Sequence, residues 1–158
     1  MILIHCFGTR YKDGSQNAKT YPRWPELLKL LEPTHRLTQV GVRGDIDLVS
    51  DSYLGLSLPE LTECVDACDL FVAIDSFLPH LAHLRKKRGV VLWGPSDPKI
   101  YGYPEHVHLH AVPPRFRPDQ FGRWEGHPAD PVAFADPVKV SQVINIIFNT
   151  EEEICDVR

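Results

Sequence analysis

At 158 residues, with 43% apolar and 24% charged side chains, the chain is long enough to bury one substantial core and has the composition of a soluble globular domain. Its net charge of -4 argues against the broad basic face that nonspecific nucleic-acid binding needs, and no apolar run reaches the length of a membrane span. Cys6, Cys64, Cys68 and Cys155 form no CxxC pair and no disulfide framework, which fits a reducing, cytoplasmic compartment. The opening MILIHCFG lacks a charged n-region and reads as a strand rather than a signal peptide.

Ile2–His5 is a short apolar run, read as a buried strand. The loop Cys6–Thr20, carrying Gly8, Thr9, Arg10, Lys12, Gly14 and Lys19, is long for a strand-to-helix connection, and long loops are often functional. Pro22 or Pro25 opens a helix through about Leu31, with Leu27, Leu28, Leu30 and Leu31 as its apolar side, and Pro33 stops it. Leu37–Val42 is a second strand, ending in Gly41-Val42-Arg43-Gly44-Asp45, and a short third one lies near Tyr53. Ser57-Leu58-Pro59-Glu60 has the form of a capping box, starting a helix to about Ala67 with Leu58, Leu61 and Val65 toward the core.

The stretch Cys68–Pro104 follows. Leu70–Ile74 and Val90–Trp93 read as buried parallel strands, with Leu78–Lys87 as the crossover helix between them. The first strand ends on Asp75-Ser76 and the second on Gly94-Pro95-Ser96-Asp97-Pro98. Glu105–Val112 is a further strand, and the proline-rich segment Pro113–Ala135 has no clear period. Pro137–Phe148 is a last helix with Val140, Val143, Ile144 and Ile147 on one stripe. Residues 1–150 thus make one domain, and 151–158 a polar tail.

This alternation predicts a single α/β domain with a Rossmann-like, doubly wound parallel sheet. Ligands of such sheets bind beyond the carboxyl ends of the strands, so Thr9, Asp75 and Gly94, each following a strand, are expected at one edge. No GxGxxG fingerprint is present, which argues against a dinucleotide.

Four elements, in order, resemble glycosyltransferase family nine, the ADP-heptose:lipopolysaccharide heptosyltransferases. Asp75-Ser76-Phe77-Leu78-Pro79-His80-Leu81 is similar to the D-[ST]-G-x-x-H-L signature, with Phe77 where the signature has glycine. Val90–Pro98 resembles the next strand and its G-P-[ST]-x-P loop, Lys19-Thr20-Tyr21-Pro22 the K-x-W-P element, and Ser57-Leu58-Pro59-Glu60-Leu61 the S-L-x-E-L helix start. The resemblance covers about residues 1–104 and extends only to the C-terminal, donor-binding half of a two-domain GT-B enzyme.

That resemblance implies a nucleotide-sugar donor as substrate and, with a partner or second subunit supplying the acceptor half and its general base, transfer with inversion. A leaving diphosphate gains charge and needs oriented donors and a cation. Lys19 would supply the charge, with Ser76, the helix start behind it and Thr9 as further donors. His80 would lie close to the sugar or phosphate, Asp75 would accept from sugar hydroxyls, and Asp45 would hold the ribose; Gly94 and Ser96 complete the expected set. The scheme requires no cofactor or metal, and it leaves the catalytic residues unassigned.

Other readings compete. Asp75 and Ser76 are also helix-capping types, Asp45 suits a cap, and His80 suits simple packing. Arg85–Arg88 fits a solvated helix terminus, and Cys64 with Cys68 fits core. His106, His108 and His110 alternate on one strand face, a spacing compatible with zinc if His127 or a carboxylate joined them. Arg115, Phe116, Arg117, Arg123 and Trp124 interleave cations and aromatics, as an acceptor groove (a nucleic acid included) or a structural plug would. The alternative function is a non-catalytic nucleotide-binding or protein-interaction module derived from the donor half.

Overall fold

Successive strand residues face opposite sides of a sheet, so a strand apolar at every position must be covered twice. Leu70–Ile74 is buried at all five positions and Gly89–Leu92 at all four. The computed structural model, which describes residues 1–122, 124–127 and 130–155 with side chains through Thr150, covers both faces. Its elements are β1 (Ile2–His5), α1 (Trp24–Leu31), β2 (Leu37–Gly41), β3 (Ser52–Leu54), α2 (Leu58–Ala67), β4 (Leu70–Ile74), α3 (Phe77–Leu84), β5 (Gly89–Leu92), α4 (Pro98–Tyr101), β6 (Val107–Leu109), a 3-10 turn at Pro131–Ala133, and α5 (Pro137–Cys155).

The six strands are all parallel in the order β3-β2-β1-β4-β5-β6, the doubly wound arrangement expected. Ile2, Ile4, Leu70, Val72, Ile74, Val90 and Leu92 pack with α1 and α5 on one face. Leu3, Val40, Phe71, Ala73, Val91 and Trp93 pack with α2 and α3 on the other. Trp24 anchors the first layer and donates its indole N–H to the Cys6 carbonyl at 2.8 Å, tying the start of α1 to the end of β1.

The capping box at Ser57 forms: the Ser57 backbone N–H donates to Glu60 Oε2 at 2.8 Å. Leu58, expected in the core, instead projects into solvent: it shares a helix face with buried Val65 but stands in the first turn of α2, ahead of the part of that face that is covered. Leu30 likewise falls on the solvent side of α1. Helix α3 stops at Leu84, three residues short of the expectation, and Lys86 then adopts a positive φ of 56°. The sequence reading missed α4, which Asp97 starts by accepting the Lys99 N–H. Helix α5 continues through Cys155, so the start of the expected polar tail is helical; residues 156–158 lie outside the described residues.

β2 and β3 are parallel neighbours joined without a helix. Gln39, fully buried in β2, holds the connection instead: its amide nitrogen donates to the Ile46 carbonyl and its amide oxygen accepts from the Leu48 N–H, both at 2.8 Å.

Gly94 closes β5 against the Phe134 ring, where an added Cβ would meet ring carbon at 2.3 Å. Gly94→Ala is therefore expected to cost about 1–3 kcal/mol in denaturant unfolding by overpacking. Gly94→Ala/Phe134→Leu should recover part of that loss; an unchanged midpoint for the single variant would contradict the packing role.

Candidate functional site

The chain leaves β1 toward α1 on one face and β4 toward α3 on the other, so β1 and β4 flank the topological switch point, where a crevice opens beyond the strand ends. A cavity of about 280 Å³ occupies it, lined by His5, Gly8, Thr9, Lys19, Asp75 and Ser76 among others, with Phe77 and Trp124 at its walls.

The long loop after β1 is held by its own hydrogen bonds. Gly8 N–H donates to Thr20 Oγ1 at 3.2 Å, and the Asn17 amide donates to the Thr9 carbonyl at 3.2 Å. Asn17 Oδ1 accepts from the Lys19 N–H at 3.0 Å. These contacts set the Lys19 stem across the cleft, and Lys19 Nζ lies 2.6 Å from Asp75 Oδ2. Asp75 is only 8% exposed and Lys19 20%, so the carboxylate that ends β4 has a cation from 56 residues earlier as its partner. Lys19 Nζ also lies 4.6 Å from the centre of the Trp124 ring and 5.4 Å from that of Tyr101, a cation–π setting.

Ser76 stands at the N-cap of α3 but makes no side-chain cap bond. Its Oγ lies 2.9 Å from His5 Nδ1 and 3.2 Å from the Ile74 carbonyl. A carbonyl only accepts, so the Ser76 hydroxyl donates to Ile74 while His5 Nδ1–H donates to Ser76. The first turn of α3 offers few free donors, because Pro79 carries no N–H. Phe77 is more than half exposed at the cleft mouth. It borders a second, more apolar chamber of about 410 Å³, lined by Val40, Val42, Leu56 and Leu61 and sharing His5 and Val42 with the first.

The remaining expected residues fall elsewhere. Asp45 Oδ2 accepts the Val42 N–H at 2.9 Å, closing the turn after β2. His80 Nδ1 lies 2.8 Å from the Tyr103 hydroxyl, and the Tyr103 ring stacks on His83, which pairs with Glu105. His80 thus joins an aromatic cluster beside α3 rather than the described cleft lining. Gly94 packs on Phe134, and Ser96 is fully buried. Lys19, Thr9, Asp75 and Ser76 are therefore the expected residues that meet in the cleft. Asp97 caps α4, and Asp119 accepts the Phe121 and Gly122 N–H groups.

The alternating histidines are separately engaged. His106 packs edge-on to Phe71, and His110 lies against Phe116. His108 accepts the Trp93 indole N–H on Nδ1 and donates from Nε2 to the Tyr103 carbonyl. Among the described residues no three His, Cys, Asp or Glu side chains are grouped to hold a metal ion. Of the basic and aromatic set in the crossing, Arg123 lies outside the described residues.

His5 and Asn17 are cleft residues that sequence reasoning missed; the one signal for His5 was a polar side chain closing an apolar strand. The protein packed around its ring disfavours the imidazolium and lowers its pKa to about 4, a shift that the Asp45 carboxylate only partly opposes. Burial lowers His106 and His108 as well. Unfolded histidines protonate near pH 6.5. The stabilisation from neutral His5 is thus complete above pH 6.5 and is lost as pH falls toward about 4, by up to roughly 3 kcal/mol. His5→Gln should flatten the fall in unfolding free energy between pH 6.5 and 4.5, leaving the share of His106 and His108. An unchanged slope would show that His5 titrates normally.

Comparison with known proteins bears on this geometry. Residues 55–112 match the model of glycosyltransferase family 9 (heptosyltransferase), a segment running from α2 through β6. The search of curated proteins gives no sequence match. Among solved structures, E. coli heptosyltransferase WaaC with ADP is 18% identical, with a TM-score of 0.61, over 91% of this chain and 43% of its own. E. coli ADP-heptose lipopolysaccharide heptosyltransferase II is 18% identical, with a TM-score of 0.65, over 96% of this chain and 47% of its own. The dodecameric, iron-containing heptosyltransferase TibC in complex with ADP-D-beta-D-heptose is also 18% identical, with a TM-score of 0.54, over 85% of this chain and 35% of its own. The chain spans less than half the length of each of these structures. In the segment from α2 through β6 by sequence, and in nearly its whole length by fold, the protein resembles part of a glycosyltransferase family 9 heptosyltransferase.

Proposed function

We propose that the crevice between β1 and β4 binds the diphosphate of a nucleotide-sugar donor. The observation that carries this reading is the meeting of Lys19 and Asp75 at 2.6 Å in an open cavity at the switch point of the sheet. An ammonium has three donors, so Lys19 can keep Asp75 and still offer N–H groups to a phosphate. Thr9 and Ser76 line the same space, and Asp75 can accept from sugar hydroxyls. The adjoining apolar chamber, reached past Phe77 and Val42, suits a flat base. The structures that this chain resembles are described with ADP and an ADP-heptose, which makes adenosine diphosphate sugars the first donors to test.

Transfer with inversion would need a general base poised on the acceptor. Asp75 is the carboxylate among the described lining residues of the cleft, and it is engaged by Lys19. The base for transfer is therefore assigned to protein beyond this domain, a partner or a second copy. The second reading is a nucleotide-binding module without transfer, favoured by the same lack of an uncommitted carboxylate in the described lining.

A charged contact to phosphate is worth roughly 1.5–3 kcal/mol, so Lys19→Ala should weaken ADP binding in calorimetry by about tenfold or more. It should also lower stability by about 1–3 kcal/mol, because Asp75 is left buried without its cation. Lys19→Ala/Asp75→Asn should restore the stability and not the affinity, which separates binding from folding. ADP affinity unchanged in both variants would remove the phosphate site.

His80→Ala is expected to change ADP affinity less than Lys19→Ala, since its ring is held by Tyr103. The isolated domain should bind donor without turnover in a radiolabelled-sugar transfer assay. Brisk transfer by a strictly monomeric sample would overturn the need for a second component.

A further inference from the structure

The Lys19–Asp75 pair carries no net charge, so part of the attraction that Lys19 offers a diphosphate is offset by Asp75 unless another cation stands nearby. The proline-rich crossing supplies one. Arg117 lies with its Cζ 4.9 Å from the centre of the Trp124 ring, the same indole that has Lys19 Nζ at 4.6 Å. Trp124 itself lines the cleft. Two cations therefore share one ring of the cavity wall, Lys19 among the lining residues and Arg117 next to the ring but outside that lining.

Arg117 is placed firmly and is poorly neutralised. Its backbone N–H donates to the Pro95 carbonyl at 2.8 Å, at the loop that follows β5. Gln120, itself buried, donates to the carbonyls of both Pro95 and Arg117 and accepts the Asp97 N–H. The side chain is 14% exposed, and its Nη1 is buried with no hydrogen-bond acceptor among the described residues. Its nearest carboxylate contact, from Nη2 to Asp119, is 3.9 Å long, and that carboxylate already accepts two backbone N–H groups. A buried guanidinium N–H without an acceptor is costly, and an anion is the ligand that removes the cost. The other cations beside the cavity fit less well. Arg10 donates to the Gly14 carbonyl from an exposed position, and Lys12 is exposed and lies 3.9 Å from Glu125.

We propose that Arg117, set against Trp124, is a second cationic contact for the diphosphate, so that the crossing forms one wall of the donor site rather than an acceptor groove or an inert plug. This inference rests on the diphosphate reading of the cleft. A diphosphate presents oxygens on two phosphorus atoms, so it can engage Lys19 with one phosphate and Arg117 with the other.

Inorganic pyrophosphate is the probe, followed by calorimetry and by indole fluorescence. Trp24 and Trp93 are both 1% exposed, so Trp124 is the indole placed to respond. Arg117→Gln should weaken pyrophosphate binding about tenfold, Arg117→Lys should recover part of the loss, and Arg10→Gln should change it less than twofold. Trp124→Leu should abolish the fluorescence change. Melting temperatures of the variants, read without ligand, show whether Arg117→Gln remains folded. Should it unfold, Arg117→Met, which keeps an apolar stem against Trp124 without the charge, takes its place, and undiminished pyrophosphate affinity in that variant overturns the inference. Pyrophosphate affinity that falls with Lys19→Ala but not with Arg117→Gln would overturn this inference and leave the diphosphate site standing. A larger loss with Arg10→Gln than with Arg117→Gln would move the second contact to Arg10. Absence of pyrophosphate binding to the unaltered protein would remove the diphosphate site and this inference together.

Discussion

A carboxylate at the buried end of a central strand has to be compensated, and in this protein the need is met by Lys19. Asp75 closes β4 at 8% exposure, where an uncompensated charge is destabilising. The cation arrives on a loop whose own hydrogen bonds carry it across the strand ends. The Asn17 and Thr20 side chains, by bonding that loop to itself, convert a long connection into a wall. Once Lys19 is in place, Tyr101 and Trp124 have a charge to pack on, and the crossing is drawn over the same opening. The shape of the cleft therefore follows from one ion pair, with the sheet topology deciding where that pair can stand.

Local pattern carried the architecture. The runs Ile2–Ile4, Leu70–Ile74 and Gly89–Leu92 are apolar without interruption, as strands covered on both faces must be, and the Ser57–Glu60 box forms as its spacing requires. Lys19, Thr9, Asp75 and Ser76 could be placed together because each follows a strand or lies in the loop after one. What was not legible depends on partners far along the chain. His80 is held by Tyr103, Gly94 is a glycine because of Phe134, and Ser76 bonds His5 across 71 residues. No periodicity encodes such pairings. Leu58 shows the limit in the other direction: an apolar residue at a helix start need not face inward when the buried stripe lies a turn further on.

The histidines follow the same rule. His106, His108 and His110 do alternate, but alternation fixes only the side of the strand on which a ring begins. Phe71, Trp93 and Phe116 then take one ring each, so imidazoles suggestive of a shared centre serve as three separate packing elements. Placement of a functional group by secondary structure is thus reliable to the level of an edge or a face, and partner choice is a tertiary property.

The helix-free link between β2 and β3 has its own consequence. A crossover helix satisfies its backbone internally and brings an apolar stripe to the sheet; the segment between these strands packs Leu48 and Val49 on the core, and its backbone is held by the Gln39 amide, the Val42–Asp45 turn and the bond from Gln39 N–H to the Asp51 carbonyl. That margin of the sheet is therefore held by loop contacts rather than by a helix of its own. The apolar chamber beside Val40 and Gly41 borders this margin. The chamber is accordingly walled on that side by Val42 and Arg43 of a loop, so its shape there depends on side-chain contacts and not on the packing of a helix.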